Sequence, residues 1–142
     1  MFFFDHDCFW RWLKKMENTN GNETKVKLIV GSSTITETPS DSISAMDLIS
    51  KLPYTLRVSR SSVDYCGAHP QPIKNDKAEG QPGWKDGEIS YIPGADYMAF
   101  FFDGEDESVS CGYSQHIVGM VVDLGALKSW PQASITVKIE LL

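Results

Sequence analysis

A cysteine and a histidine in the second half of the chain are the residues best suited to covalent chemistry. Cys111 precedes His116 by five residues, and a thiol activated by a neighbouring imidazole is a common protein nucleophile. That spacing has no known geometric reason, however, and the chain has no Gly-x-Ser-x-Gly elbow for a catalytic serine. We therefore predict no catalytic residue and expect Cys111 to be a buried structural cysteine, with His116 in a surface loop.

Two short segments carry the side chains that metal ions prefer. Residues 5–8 read Asp-His-Asp-Cys, but a chain terminus does not by itself hold ligands in a fixed geometry. Residues 103–107 read Asp-Gly-Glu-Asp-Glu, without the alternate-residue ligand spacing of a calcium-binding EF-hand loop. A charged hairpin tip is the usual meaning of such a segment, so the sequence predicts neither a metal site nor a cofactor.

The cysteines do not form a disulfide framework, because Cys8, Cys66 and Cys111 are an odd and sparse set. No Cys-x-x-Cys pair indicates zinc or redox chemistry. A bridge between Cys66 and Cys111 is compatible with an exported protein, whereas free, partly buried thiols fit a reducing compartment. We favour the free thiols.

The composition disfavours several classes of partner. The chain has 142 residues, 42% hydrophobic and 23% charged, which is enough for one domain with a single core. Its formal net charge of −6 argues against nucleic acid and anionic membranes, because both would repel it. No run approaches the roughly eighteen apolar residues of a membrane-spanning helix.

Residues 1–24 differ from the rest and are predicted to form an N-terminal arm. Asp5 and Asp7 stand early and no uninterrupted aliphatic stretch follows, so the segment lacks the pattern of a secretory signal, and we expect a cytoplasmic protein. Met16 is a candidate for the natural start, which would make residues 1–15 an upstream extension. Alternatively, the aromatic arm docks onto a neighbouring subunit and gives the protein an oligomeric role.

Residues 25–142 are predicted to form one mostly β domain. Three short apolar runs between Asp86 and Gly119, separated by Gly, Pro and Asp, indicate antiparallel strands of a small closed sheet. Further strands are predicted at residues 25–31, 54–59 and 135–141, with a hairpin turn at Gly31. Residues 60–87 are predicted to form a long loop.

One main helix is predicted between the first hairpin and the strand that begins at Tyr54. Ser42 or Ser44 can cap its N-terminus, and Pro53 ends it. A second, single helical turn is predicted at residues 124–130, before the last strand. The main helix presents an apolar stripe to the core, formed by Ala45, Leu48, Ile49 and Leu52.

The order of these elements resembles that of small bacterial cyclophilin-like proteins. The resemblance covers about Lys25 to Leu142 and implies a compact, closed antiparallel β-barrel with a helix plugging one end. One departure is that Ala68-His69-Pro70 stands where relatives continue with an Asn-Glu-Lys-like run. The segments that carry the resemblance are Leu52-Pro53, Asp64-Tyr65-Cys66-Gly67, residues 86–91 and Gly119.

Because true cyclophilins share this barrel, the resemblance also makes prolyl isomerisation a candidate activity. Their activity depends on an arginine within an Arg-Phe-His-Arg-like strand, backed by a Phe-x-x-Gln-Gly-Gly segment, and this chain has neither sequence. Arg57 and Arg60 lie on or just after a predicted strand, so an arginine facing a pocket by convergence is one alternative. The other is that both are solvent-facing charges, since a shared fold is weak evidence of function.

A non-covalent pocket at the barrel mouth is the favoured site, because small barrels leave room for a ligand at one end. Aromatic walls would supply apolar area, while Arg57 and His69 would offer orienting hydrogen bonds. Alternation places Phe100 and Phe102 on one face and Phe101 on the other, and plain core packing is the alternative for every aromatic candidate. The predicted ligand contacts are Arg57, Tyr65, His69, Trp84, Tyr91, Phe100 and Phe102.

The sequence therefore favours a binding module for a small molecule or a short peptide segment. A prolyl isomerase with a degenerate active site and a structural, oligomeric protein are the two alternatives. Neither the identity of the ligand nor the oligomeric state follows from these residues.

Overall fold

The computed structural model describes residues 24–142 of the chain. The strands are β1 (Val26–Val30), β2 (Ser33–Pro39), β3 (Tyr54–Arg60), β4 (Asp64–Ala68), β5 (Gln81–Pro82), β6 (Glu88–Ile92), β7 (Tyr97–Phe101), β8 (Ser114–Val121) and β9 (Ile135–Leu141). Eight of them are antiparallel and close into a barrel in the order β2-β1-β9-β3-β4-β7-β6-β8, and β8 pairs with β2 to complete it. The short strand β5 pairs with the beginning of β8. The predicted closed β-barrel is confirmed.

The core follows from two-residue alternation along the strands. Val26, Leu28 and Val30 of β1 point inward, and β9 alternates in the same way between buried apolar and exposed residues. Each large apolar side chain that is fully buried contributes about 1.5–3 kcal/mol. Alternation of this kind fixes the register, because a slip by one residue would turn the buried set toward water.

Two helices cover opposite ends of the barrel. The main helix α1 (Ile43–Ser50) begins after Ser42, whose hydroxyl oxygen accepts a hydrogen bond from the Ala45 backbone N–H at 3.1 Å. Ser42 is therefore the cap, and the alternative, Ser44, lies inside the helix. The short helix α2 (Leu124–Lys128) precedes β9, as predicted, and Leu127 packs into the core.

The prediction of one long loop over residues 60–87 is wrong, because β4 lies within it. Cys66 of β4 pairs with Ser59 on one side and with Ala99 on the other. At Gly67 the chain passes so close to β3 that an added Cβ would stand 1.9 Å from the Arg57 carbonyl oxygen. Asp and Gly made the segment look like a turn, whereas pairing on both sides makes it a strand.

The expected environments of Cys111 and His116 are reversed. Cys111 ends a 3₁₀ helix, Glu105–Cys111, and is exposed, whereas His116 is buried on β8. The acidic segment predicted as a hairpin tip opens that same 3₁₀ helix. Cys66 and Cys111 stand as free cysteines, and Cys66 is partly buried, as the favoured alternative expects, whereas Cys111 is exposed.

Predictions for the N-terminal arm lie outside the described residues, apart from Thr24. They comprise the start at Met16, the environment of Cys8 and the docking of the arm. Among residues 24–142, no helix is long and apolar enough to cross a membrane.

Candidate functional site: a groove on the outside of the barrel

Three of the predicted ligand contacts belong to the core at the end of the barrel that α2 covers. Tyr65 is fully buried, its ring centroid lies 5.5 Å from that of Phe102, and its hydroxyl donates to the Trp130 carbonyl oxygen at 2.7 Å. Phe100 is fully buried and packs edge-on against Trp130, with 5.8 Å between the ring centroids. The alternation that placed Phe100 and Phe102 on one face is confirmed, and that face is the interior.

The arginines of β3 differ from each other. Arg57 is exposed on the outer face of the strand. Arg60 instead lies against the barrel end, where its guanidinium stands 4.5 Å from the Phe102 ring centroid and donates to the Tyr65 hydroxyl at 2.6 Å. Arg60 therefore reinforces the packing of these aromatic side chains through hydrogen-bonding and cation–π contacts.

Two further predicted contacts, Tyr91 and His69, tie the segment after β4 to the barrel. Both reach Asp96, since the Tyr91 hydroxyl donates to its carboxylate and the His69 backbone N–H donates to its carbonyl oxygen at 2.7 Å. Tyr91 also accepts a hydrogen bond from the Ile73 N–H. The His69 ring packs edge-on against Tyr54 at 4.6 Å, and burial lowers the pKa of its imidazole.

Buried apolar side chains fill the barrel interior. A cavity beneath α1 measures about 10 Å³ and is bordered by Glu37, Tyr54 and Leu48 among others, which is room for about one water molecule. The seven predicted contacts thus do not converge on one cavity within the described part of the chain. That they contact a ligand stays a prediction.

A groove of about 540 Å³ lies instead on the outside of the barrel, over β4, β6 and β7, and we call it the outer groove. Four aromatic side chains line it: Trp84, Tyr97, Phe101 and Tyr113. Tyr97 and Tyr113 are 42% and 63% exposed, whereas the other two rings are buried at its base. A volume of this size lies within the range of small-molecule sites.

The base of the outer groove is a small second core. Trp84 stacks on Phe101 with 3.9 Å between ring centroids and 8° between planes, and Ala99, Val63 and Cys66 pack beside them. The two rings therefore bury one face each against the other.

Hydrogen bonds and a close approach position Trp84. Its indole N–H donates to the Asp103 carbonyl oxygen at 3.0 Å, and its backbone N–H donates to the Ser108 hydroxyl at 2.9 Å. The close approach is at Gly104, which follows Asp103 and has a φ of +87°. A Cβ added there would stand 2.7 Å from Val63 and 3.3 Å from the Trp84 ring. A glycine at this turn lets residues 103–108 close over the indole.

The charged group of the outer groove is Asp64, at the beginning of β4. Ser61 donates to its carboxylate at 2.5 Å, and the Cys66 thiol also donates to it. Burial raises the pKa of Asp64 above its ordinary value, while these two hydrogen bonds lower it. Burial and then the neighbouring charge of Asp64 raise the pKa of the Cys66 thiol to about 11. Cys66 is therefore a neutral thiol near pH 7 and a poor nucleophile.

Of the seven residues predicted to contact a ligand, only Trp84 lines the outer groove. Sequence reasoning missed Asp64, Tyr97, Phe101 and Tyr113. A signal was present, because alternation put Phe101 on the face opposite Phe100. A large aromatic residue on the outside of a barrel needs covering groups, and here Trp84, Val63 and Cys66 supply them.

Two other places were candidates for a site. A depression of about 570 Å³ lies over the seam between β2 and β8, where Met120 and Val122 are exposed, but no aromatic ring lines it. Within residues 24–142, no three His, Cys, Asp or Glu side chains are grouped in a way that could hold a metal ion. The outer groove is the better candidate, because it combines aromatic walls with one buried carboxylate.

Comparison with known proteins agrees with the barrel. No curated protein matches the sequence. Among solved structures, the solution structure of the hypothetical protein AF2241 from Archaeoglobus fulgidus is similar, with a TM-score of 0.67 and 12% sequence identity over 84% of this chain and 95% of that one. The family model described as the Cyclophilin-like family matches residues 28–140, which is most of the chain. The protein therefore belongs to the Cyclophilin-like family.

Proposed function

We propose that this cyclophilin-like domain is a binding module that holds a small molecule or a short peptide segment in the outer groove, without transforming it. The observation that carries the proposal is the set of four aromatic rings that line the groove of about 540 Å³, because the depression of about 570 Å³ over the β2–β8 seam has none. Exposed rings of Tyr97 and Tyr113 above the stacked Trp84–Phe101 base offer apolar contact area to a ligand.

The chemistry of the lining residues favours binding over covalent catalysis. The Cys66 thiol holds its proton near pH 7, because its pKa is about 11. His116 is buried on β8 and is not among the lining residues. A thiolate–imidazole pair therefore has no support at this site.

Prolyl isomerisation has less support than binding. An isomerase of the cyclophilin type needs an arginine at its site, but no arginine is among the residues that line the outer groove. Arg57 is exposed on the neighbouring strand β3. Equal rates of proline-peptide isomerisation with wild type, with Arg57→Ala and without protein would end this alternative.

The proposal is tested by screening a library of soluble fragments against ¹⁵N-labelled protein by NMR. We expect the hits to shift resonances of Tyr97, Tyr113 and their neighbours, and to weaken in Tyr97→Ala and Tyr113→Ala. Met120→Ala, a change to the depression over the β2–β8 seam, is the matched control and should leave binding unchanged. Hits that map to the seam, or that survive both tyrosine changes, would contradict the proposal.

A further inference from the structure

The outer groove carries one sign of charge. Among the lining residues within 24–142, Asp64 is the only one with a charged side chain, and the other polar ones are neutral: Ser61, Cys66, Cys111, Gln115 and the two tyrosines. Its carboxylate is itself largely buried. A ligand anion would therefore meet repulsion without any compensating lysine or arginine in the lining.

Aromatic rings add to the same preference. The faces of Trp, Tyr and Phe rings carry negative electrostatic potential and attract organic cations that stand over them. Four such rings share the outer groove with Asp64, and two of them, Tyr97 and Tyr113, are exposed enough to contact a ligand. A carboxylate together with aromatic faces is the chemistry that recognises an ammonium group.

The shape of the sheet favours a free small molecule over an extended peptide. Within residues 24–142, every strand of the barrel has a hydrogen-bonded neighbour on both sides. The sheet beneath the outer groove, where β7 pairs with β4 on one side and with β6 on the other, therefore offers no open edge on which a peptide could add as a further strand. The outer groove lies over the face of the sheet, where side chains rather than backbone groups must make the contacts.

We infer that the outer groove selects a small organic cation, a molecule in which an ammonium group sits beside an apolar body. The inference rests on the proposed function and deepens it. The cation would stand between the Asp64 carboxylate and the tyrosine rings, and the apolar body would cover the Trp84–Phe101 base. The overall charge of −6 adds a weak, non-specific attraction for any cation, so the test must separate the groove from the rest of the surface.

Three probes of nearly the same shape make the test direct: choline, neutral 3,3-dimethylbutan-1-ol and anionic 3,3-dimethylbutanoate. Their affinities are measured by NMR titration at constant ionic strength. Wild type should bind choline about 10-fold more tightly than the neutral alcohol, consistent with a cation–π contact plus one carboxylate, and should not bind the anion. The shifted resonances should belong to residues of the outer groove.

Asp64→Asn should reduce the preference for choline to about 2-fold or less, because the rings remain while the charge is lost. An amide oxygen can still accept the hydrogen bond from Ser61, so the local structure should persist. Asp41→Asn is the matched control, since it removes the same charge from an exposed position outside the groove and should preserve the preference. Should Asp64→Asn fail to fold, Tyr97→Leu serves instead and should lower the preference about 3-fold.

The outcomes separate the inference from the proposed function. Equal binding of choline and the alcohol at the outer groove would overturn charge selection but leave the binding module standing. Absence of groove shifts with all three probes would overturn the inference, whereas the proposed function is overturned by a fragment screen whose hits map elsewhere. A short peptide containing trimethyllysine that binds more than 10-fold tighter than choline would overturn the assignment to a small molecule.

Discussion

Phe100 and Phe101 are adjacent in sequence and lie in two very different regions. Phe100 points into the barrel, where it is fully buried and packs against Trp130. Phe101 points outward, where Trp84 stacks on it, Val63 and Cys66 pack beside the two rings, and an open groove lies next to them. Both side chains are buried, so burial alone does not distinguish the main core from the base of a groove. The difference is that Phe100 belongs to the large interior cluster, whereas Phe101 belongs to a small cluster at the barrel surface.

The tyrosine side chains of the two regions also differ in how far they are engaged by other parts of the protein. Tyr65 and Tyr91 lie inside or at the ends of the barrel, and their hydroxyls are engaged by fixed partners on neighbouring segments. Tyr97 and Tyr113 in the outer groove remain exposed. The tyrosines of the barrel therefore hold its segments together, whereas the two at the rim of the outer groove are open to solvent.

The largest effect should come from the interior. Phe100→Ala removes a fully buried ring and leaves a cavity that the surrounding strands cannot close, so we expect the free energy of unfolding to fall by about 3–5 kcal/mol. Urea denaturation followed by circular dichroism measures it. A loss below about 1 kcal/mol would mean that the interior is not close-packed and that the contrast with the outer groove is false.

Glu37 should make the barrel interior sensitive to pH. This carboxyl lies at the seam between β2 and β8, beside Gly119, where an added Cβ would stand 2.5 Å from its Oε2 atom. Burial raises its pKa from 4.5 to about 8. Between these values the unfolded chain releases the proton and the folded chain keeps it. This group's contribution to stability is thus complete below pH 4.5 and declines as the pH rises toward 8.

Glu37→Gln keeps the shape and removes the titration. We expect the variant and wild type to unfold at similar urea concentrations at pH 5, and the variant to be more stable by about 2–4 kcal/mol at pH 8. The difference between the two proteins cancels the titration of other groups. Parallel stability profiles across this range would show that the carboxyl is not buried as described.

The thiol of Cys66, at the base of the outer groove, should react more slowly than an ordinary thiol. Because the pKa of Cys66 is about 11, we expect its alkylation by iodoacetamide at pH 8 to be about 10-fold slower than that of an ordinary thiol, such as one in a short unstructured peptide. Peptide mapping by mass spectrometry separates Cys66 from exposed Cys111. Asp64→Asn should accelerate the reaction at Cys66, and an unchanged rate would contradict the contact between the two side chains.

Much of the fold was predictable because alternation and punctuation are local. The sequence indicated the strands β1, β3 and β9, the helix α1 and the resemblance to cyclophilin-like proteins. It failed at β4, because Asp64 and Gly67 are turn-forming types that take an extended conformation only through pairing with β3 and β7. Tertiary pairing of this kind leaves no signal in local composition.

The site was less predictable than the fold, for a physical reason. Alternation says which residues share a face but not which distant segment covers that face. The sequence predicts Trp84 as a ligand contact but does not indicate that it stacks on Phe101. It also predicts a loop at His116, which lies on β8. The outer groove is formed by β4, β6 and β7 together with Trp84 and residues 111–115, and their convergence depends on the closed barrel.

The smallest effect on stability should come from the exposed rim of the outer groove, where function and folding separate. Tyr97→Ala and Tyr113→Ala remove rings that are 42% and 63% exposed, so each should change the free energy of unfolding by about 0.5 kcal/mol or less. The same changes should weaken any ligand of the groove several-fold, because the lost ring faces are its contacts. Phe100→Ala should act in the opposite way once it is corrected for the unfolded fraction, with a large loss of stability and little change in affinity. If the tyrosine variants instead lost stability as Phe100→Ala does, the rim would be part of the core, and the outer groove would no longer be a site distinct from it.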